Sequence, residues 1–472
     1  MLTRTRYLLW RTRLLIYALL IVVFGSCELT MEAPHLVMEE SLDDPKAIPA
    51  ILAGVRGDFA FATASATGGV YLAGAMLTDE VVHTGTFLGF RNASDGLTKY
   101  DDVEANTWWS QMSRARWVAE NAAQKIEKWY ADGAMTKAVH DTALARASLY
   151  AGFANRVLGD NFEDAVIDGG PRQARTVYYD RALTYFNKAL SVVAETTPVG
   201  QAAIGGRAQV NMNLRKWSEA VTDAAKIPTT FAYNQIHAAS PSREQNMFAW
   251  WVHLREENSV WGTPFAAWGR NRTPTSPGAL PTTDGDPRVE YDIPVVAGAA
   301  RLGGDFRRPF WRQWKYPGTG GYAMPIPIVK GTEMQLIRAE ERLIAGDVAG
   351  MVARINEVRA RARVLFPTFA THASIADLVV ATVTAMTPAA RWELLMRERG
   401  IEMWLEGRRL GDLRRWATTP GTTMVPFTVV REIAVGQPAT ADPRRNVITS
   451  ATPLHLVVGK HEYDSNKNLP RP

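Results

Sequence analysis

Cysteine is almost missing from this chain of 472 residues, which contains only Cys27. One thiol excludes a disulfide framework and any zinc or iron–sulfur site built from several cysteines. None of the eight histidines lies in a His-Glu-x-x-His pattern, and the chain has no Gly-x-Ser-x-Gly elbow and no phosphate-binding glycine loop. We therefore predict no catalytic residues, no metal and no cofactor. A glycoside hydrolase stays open as the enzyme alternative, because no short motif reveals its carboxylate pair.

An excess of positive charge is also nearly absent once the start of the chain is set aside. The whole sequence has 53 Lys and Arg against 48 Asp and Glu, a formal net charge of +5. Four arginines and no acid lie in the first 26 residues: Arg4, Arg6, Arg11 and Arg13. Removing them leaves 49 bases against 48 acids, a balance of +1. The charge therefore gives no reason to expect nucleic acid as a partner.

The first 27 residues have the pattern of an export signal. The basic stretch is followed by the apolar run Leu14–Phe24 and then by Gly25-Ser26-Cys27. This run is short for a membrane-spanning helix, which needs about 20 residues. The pattern resembles a bacterial lipobox, although Phe24 stands where a branched aliphatic residue is more usual. It predicts a signal peptide over residues 1–26, lipidation at Cys27 and an acidic tether over residues 27–49, with an uncleaved N-terminal anchor as the alternative.

Most of the remaining chain has apolar residues at helical spacing. Ala182 with Phe186, and Trp217 with Ala220, have the pattern of the second helix in a tetratricopeptide (TPR) repeat. Small residues there let two helices approach, and the aromatic residue fills the space between neighbouring pairs. We predict a mainly α body over residues 50–472, with TPR-like pairs at about 105–228 and 333–416, and we expect one helix to stop at Gly159-Asp160. A plain helical bundle is the alternative.

Residues 229–330 differ from the helical regions. They contain turn-forming stretches such as 271–288 and 318–321, together with many aromatic residues. Disordered linkers are poor in aromatics, so we expect an ordered, loop-rich insertion packed on the helices. A second irregular stretch, Val82–Asp102, contains Phe87, Phe90, Arg91 and Asn92.

The C-terminal run Pro388–Trp416 combines apolar residues on one helical face with many charges of both signs. Trp392, Leu395, Met396, Met403 and Trp404 share that face. We interpret the charges near Gly407 as buried pairs that hold a helix end against its neighbour, rather than as a catalytic carboxylate cluster.

Several short motifs follow one another along nearly the whole chain. They are Cys27, the helix Trp108–Trp129 with Asn121, the pairs around Ala182 and Ala220, Asp286-Pro287-Arg288, Lys315-Tyr316, Met324–Val329, Ile337–Glu340, Asn356–Ala362, Glu398–Trp416 and Ser465–Leu469. In this order they resemble the motifs of the SusD/RagB outer-membrane lipoproteins, although Lys467 replaces the proline of the family's terminal Asn-Pro-Asn-Leu.

The resemblance implies a helical scaffold with TPR-like units along one side and a loop-rich side opposite. It also implies a lipid-anchored protein of the outer membrane that faces the exterior and covers a SusC-like TonB-dependent transporter, to which it delivers a glycan or, in some members, a peptide. A TPR-type assembly scaffold without a small ligand is a further alternative.

A sugar site needs flat aromatic platforms flanked by directional polar groups. The family's ligand residues come from loops that correspond to Val82–Asp102 and to the insertion. Our candidates are Phe90, Arg91, Asn92, Trp261, Trp268, Trp311 and Trp314.

Overall fold

The computed structural model describes residues 43–273, 285–418, 427–432, 444–448 and 454–471. The predicted signal peptide, Cys27 and the tether up to residue 42 lie outside the described residues. The chain divides into a short unit, Met1–Ala47, and a large unit, Ile48–Pro472. In the short unit, the described residues form a 3₁₀ turn, Pro45–Ala47, where the Lys46 N–H donates to Asp44 Oδ1 at 2.8 Å.

Helices make up most of the large unit, so the prediction of a mainly α protein is confirmed. Two π-helical turns, Phe61–Ser65 and Trp250–Leu254, interrupt the pattern. The α-helices are α1 (Ile48–Ala60), α2 (Gly69–Leu77), α3 (Leu88–Ser94), α4 (Val103–Ala131), α5 (Lys137–Asn161), α6 (Thr176–Leu190), α7 (Pro198–Asn213), α8 (Trp217–Ala225), α9 (Pro264–Trp268), α10 (Gly331–Ile344), α11 (Val348–Leu365), α12 (Val380–Thr384), α13 (Pro388–Glu402), α14 (Arg409–Trp416) and α15 (Lys460–Ser465).

The strands are short and form small separate sheets. They are β1 (Val82–His83), β2 (Asp164–Ala165), β3 (Gln173–Ala174), β4 (Ala232–Gln235), β5 (Asn258–Ser259), β6 (Gly269–Asn271), β7 (Asp286–Asp292), β8 (Val295–Val296), β9 (Ala299–Ala300), β10 (Arg312–Gln313), β11 (Ile326–Lys330), β12 (Phe427–Glu432) and β13 (Arg444–Ile448). Strand β7 lies between β10, antiparallel, and β6, parallel. The antiparallel pairs are β1–β5, β2–β3, β4–β11, β8–β9 and β12–β13.

Four helices begin behind a side chain that caps a free backbone N–H, which explains their starting points. Proline follows the capping threonine in α7 and α13, where its fixed φ suits the first helical position. The caps are Thr136 to Val139 N, Thr197 to Gly200 N, Asp347 to Gly350 N and Thr387 to Ala390 N.

Consecutive helices pack on one another, α4 on α5, α5 on α6, α6 on α7, α7 on α8 and α10 on α11. Helix α8 also packs on α10, which connects the two helical regions across the insertion. Phe186 of α6 fits between two glycines. A Cβ added to Gly152 of α5 would lie 2.5 Å from its ring, and one added to Gly206 of α7 would lie 2.4 Å away. The small residues therefore permit close helix packing around an aromatic side chain, as the TPR-like pattern predicts.

The predicted helix stop at Gly159-Asp160 is wrong, because α5 continues to Asn161. A Cβ on Gly159 would lie 2.7 Å from the ring of Tyr179 on α6. The buried Asp160 accepts hydrogen bonds from the Tyr179 hydroxyl at 2.9 Å and from Arg156 at 3.0 Å. The contacts with Tyr179 of α6 and the Arg156–Asp160 pair within α5 offset the low helix propensity of glycine, which costs about 1 kcal/mol.

The C-terminal run is not one continuous helix. Helix α13 ends at Glu402, and the chain turns through Leu405 (φ 54°) and Gly407 (φ 70°) before α14 begins. The five apolar residues of the predicted face are all buried nonetheless.

Charged residues of this run form a buried-charge network with Asp79, which follows α2, and with α10, which confirms the structural interpretation of the motif. All of its side chains are 3% exposed or less. Its ion pairs are Arg399–Asp412 at 2.8 Å, Arg399–Glu333 at 3.2 Å, Arg415–Glu340 at 2.8 Å and Arg409–Asp79 at 2.6 Å.

Over residues 229–273 and 285–330 the insertion is built mainly from short strands and turns, as expected. Its buried aromatic residues include Trp251, Phe265, Tyr291, Phe310 and Tyr316.

Within the described residues, one helical stretch, Pro45–Leu77, is long and apolar enough to cross a membrane. Its most apolar window is 88% buried inside the protein. A core helix passes the same test, so the stretch is weak evidence for a membrane span.

Candidate ligand-binding site

Two of the candidate residues, Phe90 and Asn92, are buried in α3. The Phe90 ring has no exposed surface and lies 5.0 Å from the Trp251 ring and 5.9 Å from the Trp108 ring. The Asn92 amide donates to both carboxylate oxygens of Asp102, at 2.9 and 3.0 Å, and so ties α3 to the start of α4. Both side chains have structural partners, and their contact with a ligand stays a prediction.

Arg91 lies where the two irregular regions meet. Its guanidinium donates to the Gly85 carbonyl at 3.1 Å. Beside this loop, Arg255 of the insertion lies 5.0 Å from the rings of both Phe87 and Trp251. The aromatic faces at this meeting point are therefore covered by an arginine of the protein itself.

Trp261 and Trp311 pack inside the insertion. They are 8% and 5% exposed, and both backbone N–H groups donate to Ser259 Oγ, at 3.1 and 2.8 Å. The Trp311 ring is parallel to that of Tyr291, with centroids 5.5 Å apart. Their role as ligand platforms also stays a prediction.

Trp268 is half-buried at the end of α9. Its ring lies 5.0 Å from Phe265, edge to face, and 5.9 Å from the Arg397 guanidinium. No described cavity is lined by it.

Trp314 is the one tryptophan among the candidates that lines a described cavity, of about 320 Å³. Its backbone N–H donates to the Glu290 carbonyl at 2.8 Å and holds it beside β7. The Arg272 guanidinium lies 4.1 Å from the ring centroid and stacks on the indole. Met324 and Phe366 line the same space and add apolar surface. We call this space the Trp314 cavity.

Charged residues of both signs also line the Trp314 cavity. They come from β7, from β11 and the loop before it, and from the end of α13 and the turn that follows it. Lys315 Nζ lies 2.7 Å from Glu406 Oε1, and Lys330 Nζ lies 3.1 Å from the same oxygen. Lys330 Nζ also lies 3.0 Å from Glu402 Oε1, and Arg288 Nη1 lies 3.2 Å from Glu402 Oε2. These contacts fix the polar groups in place, as a selective binding site requires.

The charge states of this lining follow from its pairs. Burial by itself would raise the pKa of Glu402, but Lys330 and Arg288 lower it to about 2. Burial would lower the pKa of Lys330, and Glu402 and Glu406 instead raise it. For Lys315 burial dominates and the pKa is lowered, although Glu406 opposes the shift. Glu402 is therefore ionised at neutral pH and is a poor proton donor.

Two buried polar atoms of the cavity-lining residues have no hydrogen-bond partner among the described residues, Glu406 Oε2 and Trp314 Nε1. Glu406 Oε2 needs a donor and the indole N–H needs an acceptor. Both atoms have almost no accessible surface, so they do not by themselves mark a point of ligand contact.

Trp314 is a candidate from the sequence, whereas Lys315, Glu402 and Glu406 belong there only to family motifs. Lys315 directly follows Trp314, and Glu402 and Glu406 are spaced by four residues. That combination of an aromatic residue with a neighbouring lysine and two acids near a helix end is the signal that the sequence offers.

The comparisons with known proteins agree with this architecture. A sequence model of the SusD family matches residues 306–456. The fold is similar to that of a SusD superfamily protein from Bacteroides fragilis, with 15% identity, a TM-score of 0.63 and coverage of 91% of this chain and 99% of that one. No curated protein sequence matches the chain.

Two further solved structures have the same fold. One is a SusD-like carbohydrate binding protein from Bacteroides fragilis NCTC 9343, with 12% identity, a TM-score of 0.64 and coverage of 91% and 99% of the two chains. The other is a SusD-like carbohydrate binding protein from Bacteroides vulgatus ATCC 8482, with 15% identity, a TM-score of 0.61 and coverage of 90% and 97%. The architecture is thus that of a SusD-like helical protein. The match of the SusD family model to residues 306–456 adds a sequence similarity over about a third of the chain to this likeness of fold.

Proposed function

We propose that this protein is an outer-membrane lipoprotein that binds an oligosaccharide at the cell surface and delivers it to a SusC-like TonB-dependent transporter. The Trp314 cavity is the observation that carries the proposal. Two proteins of the same fold are described as SusD-like carbohydrate binding proteins, which supports a saccharide as the ligand.

The chemistry of the cavity suits a sugar. An indole presents a flat apolar face to sugar C–H groups, and fixed polar atoms orient the hydroxyl groups. A volume of about 320 Å³ lies at the lower end of the usual range for small-ligand sites, about 300–1,000 Å³. The cavity would therefore hold the end of an oligosaccharide rather than a long stretch of chain.

Binding rather than hydrolysis is the better fit for the carboxylates present. A glycosidase needs one carboxyl group that is protonated near neutral pH. The pKa of Glu402 is about 2, and Glu406 Oε1 is held by Lys315 and Lys330. A glycoside hydrolase is therefore the least favoured alternative, behind a peptide-binding member of the family and a TPR-type scaffold.

Calorimetry on a panel of neutral and charged oligosaccharides tests the proposal. Trp314→Ala should weaken binding about tenfold or more, because a buried aromatic anchor is lost. Trp314→Phe keeps a ring but lacks the indole N–H and should lie between Ala and wild type. Trp117→Ala, at an exposed tryptophan of α4 outside the cavity, is the matched control and should bind as wild type.

Unchanged affinity in Trp314→Ala would reject this cavity as the site. Binding of peptides and of no glycan would favour the peptide alternative, whereas release of shorter sugars from a bound oligosaccharide would establish the hydrolase. Purification from solubilised outer membrane should bring a transporter with the protein, and its absence would contradict the proposed delivery.

A further inference from the structure

A long cleft lies between α1 and the strand β4, apart from the Trp314 cavity. It consists of two adjoining cavities of about 500 and 540 Å³, which share Ala53, Arg56, Tyr150 and Ile236 as lining residues. We call this space the α1 cleft. Each half is within the usual size range of small-ligand sites.

The α1 side of the cleft is open. A Cβ added to Gly54 or Gly57 would meet no atom within 4 Å, although both glycines line the cleft. On the opposite side, Ile236 keeps 60% of its surface exposed. A ligand can therefore reach both walls.

Two arginines from different helices line one half of the cleft, Arg56 of α1 and Arg146 of α5. Both side chains are exposed, and within the part of the chain that the structure describes neither forms an ion pair or hydrogen bond. The half of the cleft that contains both arginines has no Asp or Glu among its lining residues. Asp58, the acid on the same helix, pairs instead with Arg114 at 3.3 Å.

Both arginines act on the same pair of tyrosines, Tyr150 and Tyr233. Burial raises the pKa of each tyrosine, and the positive charges of Arg56 and Arg146 oppose the rise in both. The Tyr150 ring is held edge-on to Phe59 with centroids 5.6 Å apart, and Tyr233 lies 6.2 Å from Phe153. The tyrosine rings thus pack against the core, whereas the two exposed arginine side chains can reorient to bind an anion.

This set of groups selects a ligand chemistry. Two guanidinium groups bind a carboxylate or a sulfate ester through charge-assisted hydrogen bonds, and tyrosine hydroxyls can donate a further bond. Leu52, Pro198 and Ile236 supply apolar wall beside them, which suits the C–H face of a sugar ring. From these observations we infer that the α1 cleft is a second ligand site, which binds an acidic saccharide through its carboxylate or sulfate group.

The inference rests on the proposed function only in that both assume a saccharide ligand. The two sites share no lining residue, so they can be tested separately. The probes are tri-galacturonic acid, a sulfated galactose trisaccharide, neutral galactotriose and a hexaglutamate peptide, each titrated by calorimetry into the full mature chain.

Wild type should bind at least one of the two acidic saccharides and bind it more weakly at high salt, because exposed charges are screened. Arg56→Gln and Arg146→Gln should each weaken that binding about tenfold or more. Arg307→Gln, at an exposed arginine outside the cleft, is the matched control and should bind as wild type. Thermal unfolding of each variant checks that the fold is retained.

The outcomes separate the two proposals. Preference for the sulfated or the carboxylated probe identifies the anion and supports the site. Unchanged binding in the Arg56→Gln/Arg146→Gln double variant would overturn it, and so would binding of hexaglutamate without either acidic saccharide. Loss of acidic-saccharide binding in Trp314→Ala alone would place that ligand in the Trp314 cavity, which contradicts the α1 cleft but supports the proposed function. No binding of either acidic probe would reject the cleft, whereas binding of neutral glycans decides the proposed function independently.

Discussion

Glu80, in the turn that follows α2, is a buried carboxyl group that should lower the stability of the protein at neutral pH. It is 1% exposed, and its Oε1 accepts the Leu405 N–H at 2.7 Å. Burial is the largest influence and raises the pKa of Glu80 from 4.5 to about 8. The Leu405 N–H and Arg409 oppose the rise, and the neighbouring Asp79 adds to it. The Arg409 guanidinium donates two hydrogen bonds to the Asp79 carboxylate, from Nε at 2.7 Å and from Nη2 at 2.6 Å.

The effect on stability follows from the direction of this shift. Below pH 4.5 the group is neutral in both the folded and the unfolded state, so it has no effect. Between pH 4.5 and 8 the unfolded chain loses the proton while the folded protein keeps it, and each pH unit lowers the free energy of unfolding by about 1.4 kcal/mol. The loss is thus about 1 kcal/mol at pH 5 and about 3 kcal/mol at pH 7.

Glu80→Gln should remove this loss, because glutamine resembles the neutral acid and can still accept the Leu405 N–H. We expect the free energy of unfolding to rise by about 3 kcal/mol at pH 7 and by about 1 kcal/mol at pH 5, measured by urea unfolding. Glu340→Gln is the control, since Glu340 pairs with Arg415 at 2.8 Å and its substitution should destabilise the protein. Equal or lower stability of Glu80→Gln at pH 7 would refute the assignment of a protonated Glu80.

Three further substitutions test other features. The pKa of Glu402 is about 2 in the folded protein, so the ionised group stabilises the fold above pH 4.5. This contribution to the free energy of unfolding, about 3 kcal/mol, is lost as the pH falls from about 4.5 to 2. Acid unfolding of Glu402→Gln, followed by circular dichroism, should show a smaller loss of stability over the same range. Gly407→Ala should destabilise the protein by about 2 kcal/mol or more in urea, because φ is +70° and the new Cβ would lie 2.1 Å from the Tyr71 ring; wild-type stability would contradict this packing. Cys27→Ala should move the protein from the membrane fraction to the soluble fraction, and retention in the membrane would contradict lipidation.

The helical regions could be predicted from the sequence because their signals are local. Thr136, Thr197 and Thr387 mark helix starts, and Ala182 with Phe186 marks a packed face. The end of α5 was not predicted, because Gly159 packs against Tyr179, a residue of another helix that the local sequence does not reveal.

The candidate site was predicted only in part, because aromatic residues that pack the core have the same spacing and composition as those that bind ligands. Phe90 and Trp311 differ from Trp314 only in what surrounds them after folding. The pair Lys330–Glu406 joins residues 76 positions apart, and Lys315–Glu406 joins residues 91 positions apart. Local patterning carries no information about such partners.

The buried-charge network has a consequence for how the chain matures. Arg409 reaches Asp79 across 330 positions of sequence, and Arg415 reaches Glu340 across 75. Because a chain is synthesised from its N-terminus, the acids are present long before the arginines that pair with them. Each acid buried without its partner costs about 3–5 kcal/mol, so the N-terminal helices cannot reach their final packing early. Folding can therefore be completed only after the last sixth of the polypeptide has been synthesised. A chain truncated before Arg409 should be degraded by proteases and should not accumulate as a partly folded protein.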